Sequence, residues 1–598
     1  MIGLLTTLTW LSLPLAQPKA PGNLDVPGQF PSISSAIAAA QDGDLVLVQP
    51  GTYFETIDFG GKDIVILGVS GPEVTILDAQ GSDTVVRFES GETSSAKLEG
   101  FTVRNGVATG PGEAGGIQCT GSYPSIVNCV VRANRGGDAI GPGSFVGFGR
   151  AGGIVANEAS PTIEGCLIEA NMGAASGYLE AGLGGVLVLR AAGLTGNPDL
   201  HTSIRNCSIR LNQGGSYGGD DGHAGPGGAA ILLSRLVSIV DTEIVRNVGG
   251  MSLAPSPDCN AGAGGLWLGS SDVVVFGCRI LSNAGGQGGP GGGDGGVGGA
   301  EANSLPQSPP ISFVNCVLAW NQGGCSTKFT SGDGGGDFFS PVDVANCSFV
   351  GNVAGSGPAG SAAGGARFFG GLPVSSTLTN TVFWLNEGAT PADNSLIESD
   401  LEIANSLNTR QFGVVDPRFV NVDEDDFRLR CDSPAVDAGT GDLPTVPSVD
   451  IDGNPRPIGG QVDIGAYELV DPPEFPTFCI SVPNSFGSTA LIRGEGCTLI
   501  AENNTRIVVE GVTNTPGLFF YGPNPVQVTF GDGFRCVGGA VRRFPPTSGF
   551  MMSAEMQLDL GAIPVMPGTP TYFQYWYRDP MAGGTGFNLS NGLELTPR

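Results

Sequence analysis

A ten-residue pattern ending in Asn recurs eight times between Ser125 and Asn386, and a chain built on it can close its core in few ways. The copies read SIVNCVVRAN, TIEGCLIEAN, SIRNCSIRLN, SIVDTEIVRN, VVFGCRILSN, SFVNCVLAWN, DVANCSFVGN and TLTNTVFWLN. They end at Asn134, Asn171, Asn212, Asn247, Asn283, Asn321, Asn352 and Asn386, spaced by 37, 41, 35, 36, 38, 31 and 34 residues. A weaker copy, KLEGFTVRNG, precedes them with Gly106 in the Asn slot.

Each column carries a physical instruction. Eight residues before the Asn stand Ile126, Ile163, Ile204, Ile239, Val275, Phe313, Val344 and Leu378, all apolar. Three before it stand Val131, Ile168, Ile209, Ile244, Ile280, Leu318, Phe349 and Phe383, again all apolar. Five before it the side chain is small: Cys129, Cys166, Cys207, Thr242, Cys278, Cys316, Cys347 and Thr381. Between them, six before the Asn, only Asn, Gly or Asp occurs. These residues tolerate a left-handed backbone, so a bend belongs there. Positions five and three before the Asn alternate inward, as a strand requires.

A second strand motif opens most units: GGIQC at 115, GGIVA at 152, GGVLVL at 184, GGLWL at 264 and GGARFF at 364. No unit buries its apolar side alone. Stacked coils can, with strands parallel about 4.8 Å apart and like residues over like. The Asn column then forms a ladder of amide hydrogen bonds. The expected fold is all-β, a right-handed parallel β-helix of about ten to twelve coils, 50–60 Å long by that rise. The Cys column is expected to be stacked thiols, because parallel neighbours hold their Cβ atoms too far apart for a disulfide.

Such a solenoid exposes core at its ends, so caps are expected. Ser32 to Gln41 places Ile33, Ala36, Ile37 and Ala40 on one helical face and is expected to cover the first coil. Residues 1–16 are apolar and shorter than a membrane span, which predicts a signal peptide and export. After Pro472 and Pro473 the glycine-rich loops stop and aromatics rise, so 475–598 is expected to be a separate β-sandwich behind a β-helix of 24–470. Cys479, Cys497 and Cys536 are the candidate disulfide formers there, with one left over or bonded to Cys431.

The stretch FPSISSAIAAAQDGDLVLVQPGTYFETIDFGGKDIVILG resembles the N-terminal coils of the pectin-lyase-like β-helix superfamily. DPRFVNVDEDDFRLRCDSPAVDAGTG and VDIDGNPRPIGGQVDIGAYEL (416–469) resemble the terminal segment of exported β-helix repeat proteins that carry sorting or anchoring tails. NSFGS, GLFFYGPN, GDGFRCVGG and FQYWYRDP resemble a C-terminal module of exported planctomycete-type bacterial proteins, which implies surface attachment or display.

The superfamily resemblance also raises an enzyme. A lyase of that kind takes a proton beside a uronate carboxylate with Arg or Lys, often with Ca²⁺. On the outward column two before the Asn, Arg132, Glu169 and Arg210 are the candidates, although they read more simply as solvated surface charge. Asp220, Asp221 and His223 share one glycine loop, which cannot hold an acid and a base at the fixed separation a sugar demands. GGGDGGVGG at 291–299 has one Asp and is read as a flexible loop. In DIDGN, Asp450, Asp452 and Asn454 precede Asp463 with oxygen spacing suited to Ca²⁺, and also to capping the amides of a tight turn.

With 57 Asp and Glu against 28 Lys and Arg, the net charge of −29 counts against nucleic acid or an anionic membrane as partner. The expectation is an exported or cell-surface β-helix repeat protein with a binding, adhesion or structural role toward extracellular polysaccharide or cell-surface components. It requires no cofactor, with Ca²⁺ an option. The alternative is a Ca²⁺-assisted polysaccharide lyase or a glycoside hydrolase.

Overall fold

The computed structural model describes residues 22–597 except 111, 138–149, 176–180, 191–200, 219–222, 235, 254–260, 270–271, 290–293, 304–310, 327–330, 358–361, 369–375, 389–395, 398–400, 409–413, 442–445, 471–474, 501–502, 504 and 583. The expected signal peptide, Asp220, Asp221 and the start of the 291–299 loop lie outside the described residues.

Each complete coil gives one strand to each of three parallel sheets. The first has 13 strands, from Asn23–Val26 to Leu401–Ala404. The second has 11, from Gly51–Tyr53 to Val382–Trp384, and the third 11, from Ile57–Asp58 to Leu396–Ile397. Register follows the repeat: Ile126 pairs with Ile163, Ile163 with Ile204 and Ile204 with Ile239. On the second sheet Val131, Ile168, Ile209 and Ile244 stack in the same way. All of these side chains are buried in one continuous core. The chain is a right-handed parallel β-helix, the hand that parallel crossovers adopt.

The bend column behaves as its composition demands. Asn128, Gly165, Asn206, Asp241, Gly277, Asn315, Asn346 and Asn380 all have φ between 46° and 63°, the left-handed region. A second left-handed column was not foreseen. It lies just before the Asn ladder, at Ala133, Ala170, Leu211, Arg246, Ser282, Trp320 and Leu385, residues that gain nothing from that conformation. The ladder compensates. Asn134 donates through Nδ2 to Asn171 Oδ1 (3.0 Å) and to Val103 O (3.1 Å), while its backbone N donates to the same Oδ1 (3.1 Å). The arrangement repeats down to Asn352, whose Nδ2 donates to Asn386 Oδ1 at 3.0 Å.

The Cys column is unbonded and buried, but it is more than filler. Cys166 Sγ donates to Ile126 O of the previous coil and Glu164 O of its own (both 3.4 Å), and it accepts from Cys129 N (3.4 Å). Thr242 Oγ1 keeps the own-coil and accepting bonds, donating to Val240 O (2.8 Å) and accepting from Cys207 N (3.4 Å). A thiol or hydroxyl fits this slot because the turn backbone needs both a donor and an acceptor there.

Glycine pairs serve the third sheet. A Cβ on Gly153 would stand 2.1 Å from Gly185 O, so the strand entry admits no side chain. The glycine-rich loops leave after the Asn ladder and return to those pairs through an all-backbone stalk. Gly215 N donates to Gly182 O (2.7 Å), Gly225 N to Gly215 O (2.9 Å) and Gly250 N to Gly225 O (2.8 Å).

The helix Ile33–Ala39 covers the first coils with Ile33, Ala36 and Ile37 buried, and Ser32 and Ser35 form a capping box at its start. At the far end the chain turns back. Phe419, Phe427, Leu429, Ala435, Ile464, Ala466 and Tyr467 pack on the outer face of the second sheet, against Val317, Ala319, Val350 and Val382. Beyond residue 475, the sheet of Leu491–Glu495, Arg506–Glu510 and Ser553–Gln557 faces a larger antiparallel sheet that includes Pro516–Gly522 and Thr571–Arg578. Ile492, Ile507 and Val509 of one meet Phe519, Tyr575 and Tyr577 of the other in a sandwich core. Disulfides join Cys431 to Cys497 and Cys479 to Cys536, so Cys431 does take a partner beyond residue 475.

Candidate functional site

The returning segment shows what the corner between the first and second sheets can hold. Three bend-column side chains grip it. Asn315 Nδ2 donates to Val449 O (2.6 Å), Asn346 Nδ2 to Asp463 O (3.2 Å) and Asn380 Nδ2 to Thr440 O (2.9 Å). Gly465 N donates to Asn380 O (2.7 Å) and Ala466 N to Ser348 Oγ (3.1 Å). On these late coils the corner is therefore filled by successive turns of the returning segment, bonded through amides and backbone.

On the earlier coils the same corner is open. Where the segment stops at Ile451, a groove of about 700 Å³ continues across the bends at Gly165, Asn206, Asp241 and Gly277. Its second-sheet wall carries Ser208, Arg210, Glu243 and Arg279. Four bends at the inter-coil rise span about 14 Å. Burial raises the Asp241 carboxyl above its ordinary value. Arg279 is oriented by the segment, donating to Asp452 Oδ1 (3.1 Å) and Tyr467 Oη (3.2 Å).

Arg132, Glu169 and Arg210 do lie in register on the second sheet. Arg210 donates to Glu169 Oε2 from both Nε (3.0 Å) and Nη2 (2.9 Å), so its charge is engaged by the neighbouring coil. This outward column is charged only where it is uncovered. Its later members, Ala319 and Val350, are buried beneath the returning segment.

Asp450, Asp452, Asn454 and Asp463 do not converge on a common point. Asp450 accepts from the backbone N of Asp452 (2.9 Å), Asn454 (2.7 Å) and Glu468 (2.9 Å). Asp463 accepts from Asp437 N and Leu469 N, both at 2.7 Å. Asp452 lies between two guanidinium groups, those of Arg279 (3.1 Å) and Arg428 (2.7 Å). A Ca²⁺ ion would have to displace these donors and approach two fixed positive charges, so the residues present do not fit it. Among the described residues no group of three or more His, Cys, Asp or Glu side chains is arranged to hold a metal ion.

A second cluster escaped the sequence reading. On the outer face of the third sheet Trp267, Glu301, Asp337 and Arg367 stand in register. Asp333 pairs with Arg367 at 2.7 Å and accepts from Ala363 N at 2.5 Å. Burial pushes Glu301 up to about 8, helped by the charge of Asp337, and pushes Asp337 up to about 6. Beside Glu301 lies a cavity of about 50 Å³ lined by His223, Pro226, Trp267 and Asn303. The signal was present in the sequence. Each member is the second residue after a glycine pair, in GGAE at 298 and GGGD at 334 as in GGLW at 264 and GGAR at 364, but the small Ala300 and Gly336 mask the strand pattern in the first two.

No family model matches this chain, and no curated protein matches it. Solved structures do. A pectin methylesterase from carrot is 12% identical, with 65% of this chain and 90% of that one covered, at a TM-score of 0.22. The tailspike protein gp49 of Pseudomonas phage LKA1 is 11% identical, covering 92% and 68%, at 0.26. A family 28 exopolygalacturonase from Yersinia enterocolitica is 10% identical, covering 66% and 79%, at 0.22. Similarity this low carries no argument about function.

Proposed function

We propose that this protein is an exported, non-catalytic β-helix that binds an extended extracellular polysaccharide along the corner of its first two sheets. The observation that carries the reading is the open groove continuing the seat of residues 449–466. That seat already holds polypeptide through side-chain amides and backbone groups, and its open half presents hydroxyl, carboxylate and guanidinium groups suited to sugar hydroxyls. The groove walls hold both signs of charge, which favours a neutral or mixed glycan over a polyuronate that the −29 chain would repel. The test is retention of the full chain on immobilised glycans, compared with Arg210→Ala/Glu243→Ala. Binding lost in the variant supports the reading, and equal retention refutes it.

A hydrolase reading would rest on Glu301 and Asp337, two carboxylates poised at different values beside Trp267. The cavity there has the volume of a water or two rather than a sugar ring. Release of reducing ends from a glycan panel, abolished by Glu301→Gln, would favour it over binding.

A further inference from the structure

The sandwich is tethered at one end and bare at the other. Strand Arg506–Glu510 begins beside the tether, where Thr505 Oγ1 donates to Cys497 O and Cys497 is bonded to Cys431. It ends at Gly511, whose N donates to Met552 O (2.9 Å). Three loops meet at this far end. Asn484 Nδ2 donates to Gly511 O (2.7 Å), and Ser485 N donates to Asp579 Oδ2 (2.9 Å), which brings the 484–488, 550–553 and 579–582 loops together. They present Phe486 (66% exposed), Phe550 (72%), Met551 (78%) and Met581 (82%). Such side chains normally lie inside.

The hairpin at the tip breaks a local rule. Phe550 N and Ser553 O, and Ser553 N and Phe550 O, bond at 2.8 and 3.0 Å, closing a two-residue turn. Its central residues, Met551 and Met552, have φ of 48° and 63°. Asn-Gly is the sequence that such a turn prefers. Two methionines there cost stability and gain no core contact, so the departure points to a role outside the fold. The turn backbone is largely satisfied: Met552 N donates to Asn514 Oδ1 (2.9 Å), and Met552 O accepts from both Gly511 N and Val512 N. A tip with its backbone groups paired can enter hydrocarbon.

Charge distribution selects the occupant. Residues 475–598 contain eight Asp or Glu and seven Lys or Arg, so almost all of the −29 charge lies in the β-helix. The net charge that argues against a membrane partner therefore belongs to the rod alone. We propose that the Phe486–Phe550–Met551–Met581 tip inserts into the acyl region of a lipid surface and holds the rod away from it. The tip sets two exposed phenylalanines and two exposed methionines on three loops, which suits a fluid acyl phase.

Flotation of the full-length protein with phosphatidylcholine vesicles tests this. The protein is expected to float with the vesicles, with little change on raising salt, because the contact is apolar. Met551→Asn/Met552→Gly should lower the bound fraction about tenfold or more while leaving the unfolding midpoint unchanged or higher, since that pair suits the turn. Met581→Ser, far from the turn in sequence, should weaken flotation on its own. Absence of wild-type flotation with both zwitterionic and anionic vesicles would overturn the proposal. So would equal flotation of the variants, or tip-dependent self-association without lipid.

Discussion

Asn212 illustrates how much a single residue carries in this fold. It donates to Asn247 Oδ1 (3.0 Å) and Ile168 O (2.9 Å) and accepts from both N and Nδ2 of Asn171 (3.0 Å each), all in a buried layer. Asn212→Ala orphans several of these groups at once and should cost about 3 kcal/mol or more, read as a lowered urea midpoint by far-ultraviolet circular dichroism. Cys207 makes the opposite case. Thr242 occupies the same slot one coil on and donates to the equivalent carbonyl two residues back, as Cys207 does to Arg205 O, so Cys207→Thr should stay within about 1 kcal/mol of wild type, whereas Cys207→Val, which removes the hydrogen bonds, should lower the midpoint. If Thr and Val behave alike, the column is only filler.

At the scale of strands and loops, the buried carboxylates of the third sheet set a pH dependence. Glu301 is held at about 8 against an ordinary 4.5, so the folded state keeps a proton that the unfolded chain releases. Stability is then greatest below the ordinary value and is lost as pH rises toward about 8. Thermal unfolding should move to lower temperature across that window, and Glu301→Gln should flatten the slope. The returning segment makes a separate prediction. Phe427 is buried against Phe419 and Trp320, and Phe427→Ala should cost about 3–5 kcal/mol in that segment, seen as faster hydrogen exchange over 449–466. The three sheets, the inward columns and the bends could be read from the repeat because each coil sees the same environment as its neighbours. The groove could not. It exists because residues 449–466 fill the corner at Asn315, Asn346 and Asn380 but stop short of Asp241, through contacts 134 residues apart in sequence at Asn315 and 117 at Asn346. Arg132, Glu169 and Arg210 were placed correctly on one outward line, yet nothing in their own repeat showed that the same line turns apolar at Ala319 because it is later covered.

The whole molecule combines an acidic rod, a glycine-backed side and a nearly neutral sandwich, joined covalently through Cys431 and Cys497. Each part meets a different surrounding. If the rod corner binds a polymer and the far end of the sandwich a lipid surface, as proposed, deleting residues 475–598 should abolish vesicle flotation and leave glycan retention intact. Amide hydrogen exchange of the full chain with and without a bound oligosaccharide tests the central claim most directly. Protection is expected at the open bends around Gly165, Asn206, Asp241 and Gly277 and along the strands Ser208–Arg210 and Glu243–Val245. Protection confined to the third sheet around Trp267 and Glu301, with those bends unchanged, would contradict it.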